Sequence, residues 1–308
     1  MSSMASEVDV VVAGSGVAGL SVAAECAERG LSVLCVDPGG LPGGVVANLG
    51  RVDGFPSAVP LSGAALADLV AQRGVAAGVL RLDGEVGGLA ADAGGWRVAL
   101  ADGRSARARA VVVATGAALR RLGIPGEREF EGRGVSQCDW CDGGFFKQQA
   151  VAVVGGGNAA FQAALHLATL CSEVHLVIRG GIRALRSYVG AAGQNERIVF
   201  HWERVSTAIL GSQGVEAVEL EDVASGARET LAVQGVFVFA GTVPTTGWLP
   251  ASLRRDAQGV LVTGVDHETE LPGVYAVGAA RSGFQGALVS ACGDAAYVAA
   301  RIAARLDN

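Results

Sequence analysis

The sequence of 308 residues has no long apolar run and no block rich in Lys or Arg. A helix needs roughly 20 consecutive apolar residues to cross a bilayer, so we expect no membrane span. The net charge of −6 and the missing basic block argue against nucleic acid and anionic membranes as partners. The opening residues, MSSMASEVDVVV, carry no basic segment before their apolar run, so we predict no secretory signal peptide and a cytoplasmic location.

Metal-ligating residues are too sparse for a recognisable metal site. Zinc sites usually combine four ligands at matching spacing, and this chain has only one CxxC. Its four histidines stand singly: His166, His175, His201 and His267. We therefore predict no bound metal. A redox dithiol is the better interpretation of the close pair, Cys138 and Cys141.

The other cysteines stand alone in apolar or Ala-rich segments, where a buried and inert thiol is expected. These residues are Cys26, Cys35, Cys171 and Cys292. A structural disulfide framework is not expected in a reducing compartment.

Glycine is abundant: 46 of the 308 residues are glycine, about twice the usual share of about 7%. The glycines are dispersed among short apolar runs. The first such segment, VDVVVAGSGVAGLSVAAECAERGLSVLCVD, has the pattern of strand, glycine turn, helix and strand. Gly14, Gly16 and Gly19 form GxGxxG, and Asp37 ends the second strand, where a carboxylate bonds ribose hydroxyls. This unit is predicted to bind a dinucleotide, and we assign it to FAD.

The same pattern returns in AVAVVGGGNAAFQAALHLATLCSEVHLVIRGGIR. Gly155, Gly157 and Ala160 occupy the three small-residue positions, but the strand that follows ends in Arg179, with Arg183 close behind. Guanidinium groups suit a 2′-phosphate, which an acid would repel. We therefore predict a nicotinamide cofactor here, with NADPH ahead of NADH. The alternative is that these arginines only solvate the start of a helix.

The order of these segments predicts an α/β chain with two Rossmann-like dinucleotide-binding domains, the second inserted into the first. The FAD-binding domain is predicted to comprise residues 1–117 and 245–308. The NAD(P)H-binding domain, 118–244, carries the CxxC. Short β-like runs and turns over 80–110 predict a small antiparallel appendage between the two units.

Several segments in order resemble the low-molecular-weight thioredoxin reductases over nearly the whole chain: GSGVAG, VVVATGA, LGIPGEREFEGRGVSQC, CDWCDG, VAVVGGGNAA, GVFVFAGTVP and LPGVYAVG. The resemblance implies that NADPH reduces FAD, that FAD reduces the CxxC disulfide, and that the dithiol exchanges with an external disulfide. It also implies a homodimer. Cys141 would face the flavin, Cys138 would attack the partner, and Asp142 would be the acid–base group.

The sequence departs from the family pattern at both cofactor sites and between the cysteines. The usual Gly–Asp pair near the flavin is Gly278–Ala279, and Gln285 is only a candidate substitute for the Arg–Gln that normally follows. One of two adjacent arginines of the NADPH motif is replaced by Gly180. The residues between the cysteines are usually small, yet one of them is Trp140.

The resemblance, together with these departures from it, leaves three functions open. The first is an NADPH-dependent reductase of a disulfide in a thioredoxin-like protein. The second is an FAD- and oxygen-dependent dithiol oxidase that forms a disulfide in a small molecule, a function that tolerates a weakened NADPH motif. The third is a retired fold with a binding or regulatory role, against which both cysteines and Asp142 are intact. Another electron donor, such as ferredoxin, is a further alternative.

Overall fold

A computed structural model of the chain describes residues 6–56, 59 and 61–307. The first five residues, part of the segment that argued against a signal peptide, lie outside the described residues. The chain folds into α/β structure in two compact units. One comprises the described residues up to Ala118 together with those from Val243 onward, and the other is Leu119–Thr242. Within the described ranges, no helix is both long and apolar enough to cross a membrane.

The α-helices are α1 (Val17–Glu28), α2 (Gly63–Ala76), α3 (Asp139–Asp142), α4 (Asn158–Leu167), α5 (Arg186–Gly193) and α6 (Leu288–Leu306). The strands are β1 (Ser6–Ala13), β2 (Val33–Asp37), β3 (Leu80–Asp83), β4 (Val86–Asp92), β5 (Gly95–Leu100), β6 (Ser105–Val113), β7 (Ala117–Leu119), β8 (Val135–Ser136), β9 (Ala150–Val154), β10 (Glu173–Ile178), β11 (Ile198–Trp202), β12 (Arg204–Gly211), β13 (Val215–Asp222), β14 (Arg228–Ala232), β15 (Gly235–Val238), β16 (Thr242–Pro244) and β17 (Val274–Ala276).

The first unit is built on a mainly parallel sheet in the order β3-β2-β1-β6-β5-β4, and β17 also pairs with β6. Alternate residues of β1 enter different cores: Val11 packs in one apolar cluster and Val10 in another. A strand that is buried on both faces needs an apolar side chain at every position. This requirement explains why the second half of β1, residues 10–13, is a continuous apolar run rather than an alternating one.

The predicted antiparallel appendage is continuous with this sheet, which corrects the expectation for residues 80–110. β3 pairs in parallel with β2 at the sheet edge, whereas β4 pairs antiparallel with β5 and β5 pairs antiparallel with β6. Along one edge, β6 pairs with β1 over nearly its whole length. Along its other edge, the first half pairs with β5 and the second half with β17. A strand of nine residues is long enough to join both sets of neighbours.

The second unit has a parallel sheet in the order β11-β10-β9-β15-β8 and a separate antiparallel sheet, β12-β13-β14. Apolar clusters cover both faces of the parallel sheet: Phe161 and Leu176 lie in one, and Val154 and Val177 in the other. The carboxyl ends of β9 and β10 face the start of α4. Ligands bind at such an edge in parallel α/β sheets, so the fold places the second glycine turn at the expected position.

Candidate active site

The first glycine turn joins β1 to α1 and is shaped by close backbone contacts. Gly14 has φ +111°, and a Cβ there would lie 2.4 Å from the carbonyl oxygen of Ala114. A Cβ on Gly19 would lie 2.0 Å from the carbonyl oxygen of Gly14, so only glycine permits this packing of helix against turn. A Cβ added at Gly16 would meet nothing within 4 Å, and no side chain caps the helix. The open backbone at the start of α1 can therefore hold a pyrophosphate.

Asp37 lies beside this turn, as its position at the end of β2 requires. Its Oδ2 accepts the backbone N–H of Ser15 at 2.8 Å, and its Oδ1 accepts that of Gly39 at 3.2 Å. The carboxylate is therefore held in place by two donors and is oriented next to the turn. Gly14, Gly16, Gly19 and Asp37 are brought together in an arrangement that fits FAD.

A second glycine segment lies against this turn and was missed by the sequence reasoning. The N–H of Gly43 donates to the carbonyl oxygen of Ser15 at 2.8 Å. A Cβ on Gly44 would lie 3.3 Å from the Cα of Gly16. The signal was present in the run GGLPGG, because clustered glycines after a strand indicate close backbone approach.

The loop at Gly278 also reaches the first turn of α1, because a Cβ there would lie 3.0 Å from the Cβ of Ala18. Its neighbour Ala279 brings no side-chain oxygen to this place. Gln285 is exposed and donates to the carbonyl oxygen of Gly283 at 3.2 Å, within its own turn. No hydrogen bond joins it to the GxGxxG turn among the described residues, so its role at the flavin stays a prediction.

A buried ion pair supports the Gly278 loop, and the sequence reasoning did not find it. Asp294 of α6 accepts the N–H of Gly278 at 3.0 Å. The same carboxylate receives Arg281 in a bidentate contact, with Nε at 2.8 Å and Nη2 at 2.6 Å. Both side chains are largely buried, 13% and 6% exposed. Charged residues in an otherwise apolar, Ala-rich segment were the available signal, since buried charges need partners.

The second glycine turn, between β9 and α4, repeats this geometry. Gly155 has φ +151°, and a Cβ on it would lie 3.0 Å from the Cβ of Ala160, which is fully buried. Gly157 precedes α4 as its N-cap and provides no side-chain cap, and a Cβ added there would meet nothing within 4 Å. Gly155, Gly157 and Ala160 therefore form a second cradle that is open to a dinucleotide.

Arg183 is attached to this cradle through its backbone, because its N–H donates to the carbonyl oxygen of Gly156 at 2.8 Å. Arg179 follows the end of β10, and both side chains are exposed. Neither guanidinium forms an ion pair within the described ranges. Both are therefore available to an anionic group. Gly180 next to them lies in open space, since a Cβ there would meet nothing within 4 Å.

The cysteine pair stands at the start of α3. Cys138 and Cys141 form a disulfide with an S–S distance of 2.06 Å and a Cα–Cα distance of 5.3 Å. Cys138 caps the helix, and its Sγ accepts the N–H of Cys141 at 3.1 Å. Cys141 is exposed and Cys138 is half-buried. The order of their roles in exchange stays a prediction.

Ser136, which sequence reasoning missed, connects the disulfide to Asp142. Its Oγ accepts the N–H of Cys138 at 3.0 Å and donates to Oδ2 of Asp142 at 2.6 Å. A pocket of about 280 Å³ opens beside this carboxylate, and its lining includes Arg133, Ser136, Asp142, Phe145, Phe146 and Gln234. The volume admits several waters, so protons can reach Asp142 from solvent.

The isolated cysteines have environments unsuited to exchange. Burial raises the pKa of the Cys26 and Cys35 thiols to about 12 and that of Cys171 to about 11. Burial also raises the pKa of Cys292. Thiolates are the reactive form, so these four residues are poor nucleophiles. In the part of the chain that the structure describes, no three His, Cys, Asp or Glu side chains form a group that could hold a metal ion.

Comparison with known proteins gives consistent matches over almost all of the chain. The family described as pyridine nucleotide-disulphide oxidoreductase matches residues 8–300. The chain is 34% identical to thioredoxin reductase of Treponema pallidum, over 99% of each sequence. Two crystal structures of thioredoxin reductases have a similar fold. That from Lactococcus lactis has a TM-score of 0.91 at 31% identity, covering 96% of this chain and 97% of the other. The structure from T. acidophilum has a TM-score of 0.92 at 30% identity, covering 98% of this chain and 99% of the other. The predicted fold class, with two Rossmann-like domains, is confirmed.

Proposed function

The chain belongs to the pyridine nucleotide-disulphide oxidoreductases as a thioredoxin reductase-like member, and we propose that it moves electrons from NADPH through FAD and the Cys138–Cys141 pair to a disulfide in a thioredoxin-like protein. It is a flavin-dependent thiol–disulfide oxidoreductase. The observation that carries the finer proposal is the disulfide at the start of α3 with Asp142 in the same turn.

The two cofactors fit residues that are already on the chain. Gly14, Gly16, Gly19 and Asp37 would hold FAD, and the cradle of Gly155, Gly157 and Ala160 would hold the nicotinamide dinucleotide. Arg179 and Arg183 would contact its 2′-phosphate. Bound FAD supplies the two-electron chemistry that connects the nicotinamide to the cysteine pair.

The cysteines would perform the exchange in two balanced steps. After reduction, the Cys138 thiolate attacks one sulfur of the substrate disulfide, which releases the other sulfur as a thiolate. The Cys141 thiolate then attacks Sγ of Cys138 and re-forms the enzyme disulfide, and the substrate leaves as a dithiol. The N–H of Cys141 already points to Sγ of Cys138, so the same hydrogen bond would stabilise the Cys138 thiolate.

Asp142 would handle the protons of this exchange. The released substrate thiolates take up two protons, and an adjacent carboxyl group can deliver each of them in turn. Ser136 holds the carboxylate in place at 2.6 Å, and the pocket beside it gives solvent a path to it. Asp142 would therefore be reprotonated from water between steps.

A second function is favoured by two observations at the same sites. Trp140 presents an aromatic surface, 47% exposed, beside the disulfide, and Gly180 stands where the resemblance implies an arginine. In this alternative the oxidised pair would take two electrons and two protons from a small dithiol, and bound FAD would supply the chemistry that transfers them to oxygen, giving hydrogen peroxide. A weak NADPH site would not impair such an enzyme.

One experiment separates these functions. The purified protein is given NADPH without oxygen, and the visible flavin absorbance is followed. Oxidised thioredoxin is then added and its new thiols are counted. Bleaching followed by thiol formation supports the reductase, whereas no bleaching together with oxygen consumption on addition of a small dithiol supports the oxidase. A Cys138→Ser/Cys141→Ser variant is the control and should bleach without forming thiols. A protein that takes up no flavin would exclude both functions.

The proposal also includes a homodimer in the cytoplasm, without nucleic acid or membrane partners. The family resemblance supports the dimer, and the net charge of −6 supports the absence of nucleic acid as a partner. Light scattering of the purified holoenzyme measures the mass directly. A mass of one chain would contradict the dimer.

A further inference from the structure

The two residues between the cysteines are held by one histidine from another helix. His166 lies at the end of α4, 27 residues from Asp139. Its Nδ1 lies 2.8 Å from Oδ2 of Asp139. The rings of His166 and Trp140 are stacked, with centroids 3.7 Å apart and an interplanar angle of 12°. A single imidazole therefore contacts both inter-cysteine side chains, one by a polar bond and the other by its face.

The polar contact is sheltered from water, which makes it a firm attachment. The Asp139 side chain is 12% exposed and that of His166 is 17% exposed. A carboxylate that is buried to this degree needs a donor, and removing the donor is costly because the carboxylate is left unpaired. The stack covers one face of Trp140, while the residue as a whole stays half-exposed. Asp139 and Trp140 are thus fixed from the side of α4.

The two contacts of His166, with Asp139 and with Trp140, are called the clamp below. The clamp is separate from Asp142, the proposed proton-handling group. Asp142 is bonded to Ser136, and His166 contacts Asp139 and Trp140 instead. The two carboxylates of α3 therefore have different partners on different elements. Asp142 is tied to the strand β8, and Asp139 is tied to the helix α4.

We propose that His166 is a positioning residue that sets the redox equilibrium of the Cys138–Cys141 disulfide. The inference rests on the proposed function only in taking this pair as redox-active. The disulfide has a Cα–Cα distance of 5.3 Å, within the usual range for a disulfide bridge. In the dithiol form, the backbone at Asp139 and Trp140 can spread unless it is held. Holding it keeps the sulfurs close, so closing the bridge loses less conformational entropy.

The clamp therefore favours the disulfide, and its loss should make the bridge easier to reduce. His166→Phe keeps a ring to stack on Trp140 but removes the bond to Asp139. We expect it to lower the equilibrium constant for disulfide formation about tenfold, which corresponds to about 30 mV in potential. Trp140→Ala should shift the equilibrium in the same direction through loss of the stack.

The test is an equilibrium measurement that needs neither flavin turnover nor nucleotide. The holoenzyme is equilibrated without oxygen in mixtures of reduced and oxidised dithiothreitol at one pH. The reagent's two thiols give two electrons and two protons to the enzyme; its own S–S bond forms as the Cys138–Cys141 bond breaks. Free thiols are then alkylated, and the reduced fraction is read from the mass.

Two further variants keep the test decisive if His166→Phe is poorly folded. In Asp139→Asn the side-chain oxygen can still accept from Nδ1, so this variant should stay close to the unmodified equilibrium. Asp139→Ala should shift it as His166→Phe does. Where His166→Phe does fold, combining it with Asp139→Ala should add no further shift, because both substitutions remove the same bond.

The matched control is His175→Phe, the same change at a histidine of β10 that contacts His201 instead. It should leave the equilibrium unchanged. An unchanged or strengthened disulfide in folded His166→Phe would overturn the proposal, and so would an equal shift in the control. Failure of the proposed function looks different, since the pair would then show no reversible exchange with the reagent in any variant.

Discussion

Ser136 and Asp142 share a hydrogen bond of 2.6 Å, in which the serine hydroxyl donates to the carboxylate. The same hydroxyl oxygen accepts the backbone N–H of Cys138. One hydroxyl group therefore orients both the proposed proton donor and the first residue of the redox pair. The arrangement makes the role of each group separately testable.

We expect Asp142→Asn to slow disulfide exchange about 100-fold, because the amide cannot transfer a proton. Ser136→Ala should slow it less, since the carboxylate remains but loses its orienting donor. Stopped-flow measurement should show bleaching of the flavin by NADPH at the unmodified rate in both. Ser206→Ala is the matched control, because Oγ of Ser206 is buried without a hydrogen-bond partner in the described structure. Exchange at full speed in Asp142→Asn would remove this residue from the mechanism.

The two cysteines are expected to differ in what their replacement leaves behind. Cys138→Ser should leave a Cys141 thiolate that gives a long-wavelength absorbance band beside oxidised flavin. Cys141→Ser should give no such band but keep a Cys138 that reacts with alkylating agents. Both variants should lose exchange and keep bleaching by NADPH, because hydride transfer uses no sulfur. Cys292→Ser is the control, and the band appearing only in Cys141→Ser would reverse the assigned order.

For the nucleotide site, Arg183→Ala should raise the KM for NADPH about tenfold, the effect of losing one charge-assisted contact to the phosphate. The KM for NADH should not change, because NADH lacks the 2′-phosphate. Steady-state assays with NADPH and with NADH measure the two KM values. Arg128→Ala, an exposed arginine of the same unit, is the control. Equal losses for NADPH and NADH would show that Arg183 does not recognise the phosphate.

The buried pair of Arg281 and Asp294 makes a prediction about stability. Arg281→Met leaves a largely buried carboxylate without its partner and should lower the free energy of unfolding by about 3 kcal/mol. Arg281→Met/Asp294→Ala should be less destabilised than Arg281→Met alone, because no unpaired charge remains. Urea unfolding measures both. Arg301→Met is the control, since Arg301 is half-exposed and 3.9 Å from Asp266; such surface pairs contribute little. A lower free energy of unfolding for the double variant than for Arg281→Met would contradict this prediction.

Two neighbouring histidines predict a loss of stability in acid. Nδ1 of His175 lies 3.1 Å from Nε2 of His201. Burial lowers the pKa of both, and the proximity of His175 lowers the pKa of His201 further. A histidine with a lowered pKa binds its proton more weakly in the folded state. The free energy of unfolding should therefore have its full value above about pH 6.5. It should fall as the pH decreases, by at most about 1.4 kcal/mol per pH unit for each proton taken up.

Thermal unfolding across this pH range tests whether the stability falls as the pH decreases. His201→Gln should flatten the acid side of the profile, because one titrating group and its repulsion are removed. Glu229→Gln should steepen it, since Glu229 raises the pKa of His201. A profile of His201→Gln that falls as steeply as that of the unmodified protein would contradict the assignment.

Local sequence patterns were sufficient to predict both glycine turns. Gly14, Gly19 and Asp37 are specified by a strand, a tight turn and a helix within one short segment, and each glycine has a steric reason that a pattern can express. The cysteine pair is equally local, because its spacing alone permits a disulfide across one helical turn. The predicted fold class followed from the repetition of such units.

Only the tertiary structure decided which distant side chains became partners. His166 reaches Asp139 because α4 packs beside α3, and nothing in the spacing of these two residues indicates it. Arg281 and Asp294 meet because the Gly278 loop turns back onto α6. The strand β6 pairs with both β5 and β17 along one edge because it is long enough to reach both. Hydrogen bonds and stacking depend on distances of a few ångströms, which chain packing sets and residue order does not. Backbone patterns therefore located the cofactor turns, while the surroundings of the disulfide came from folding.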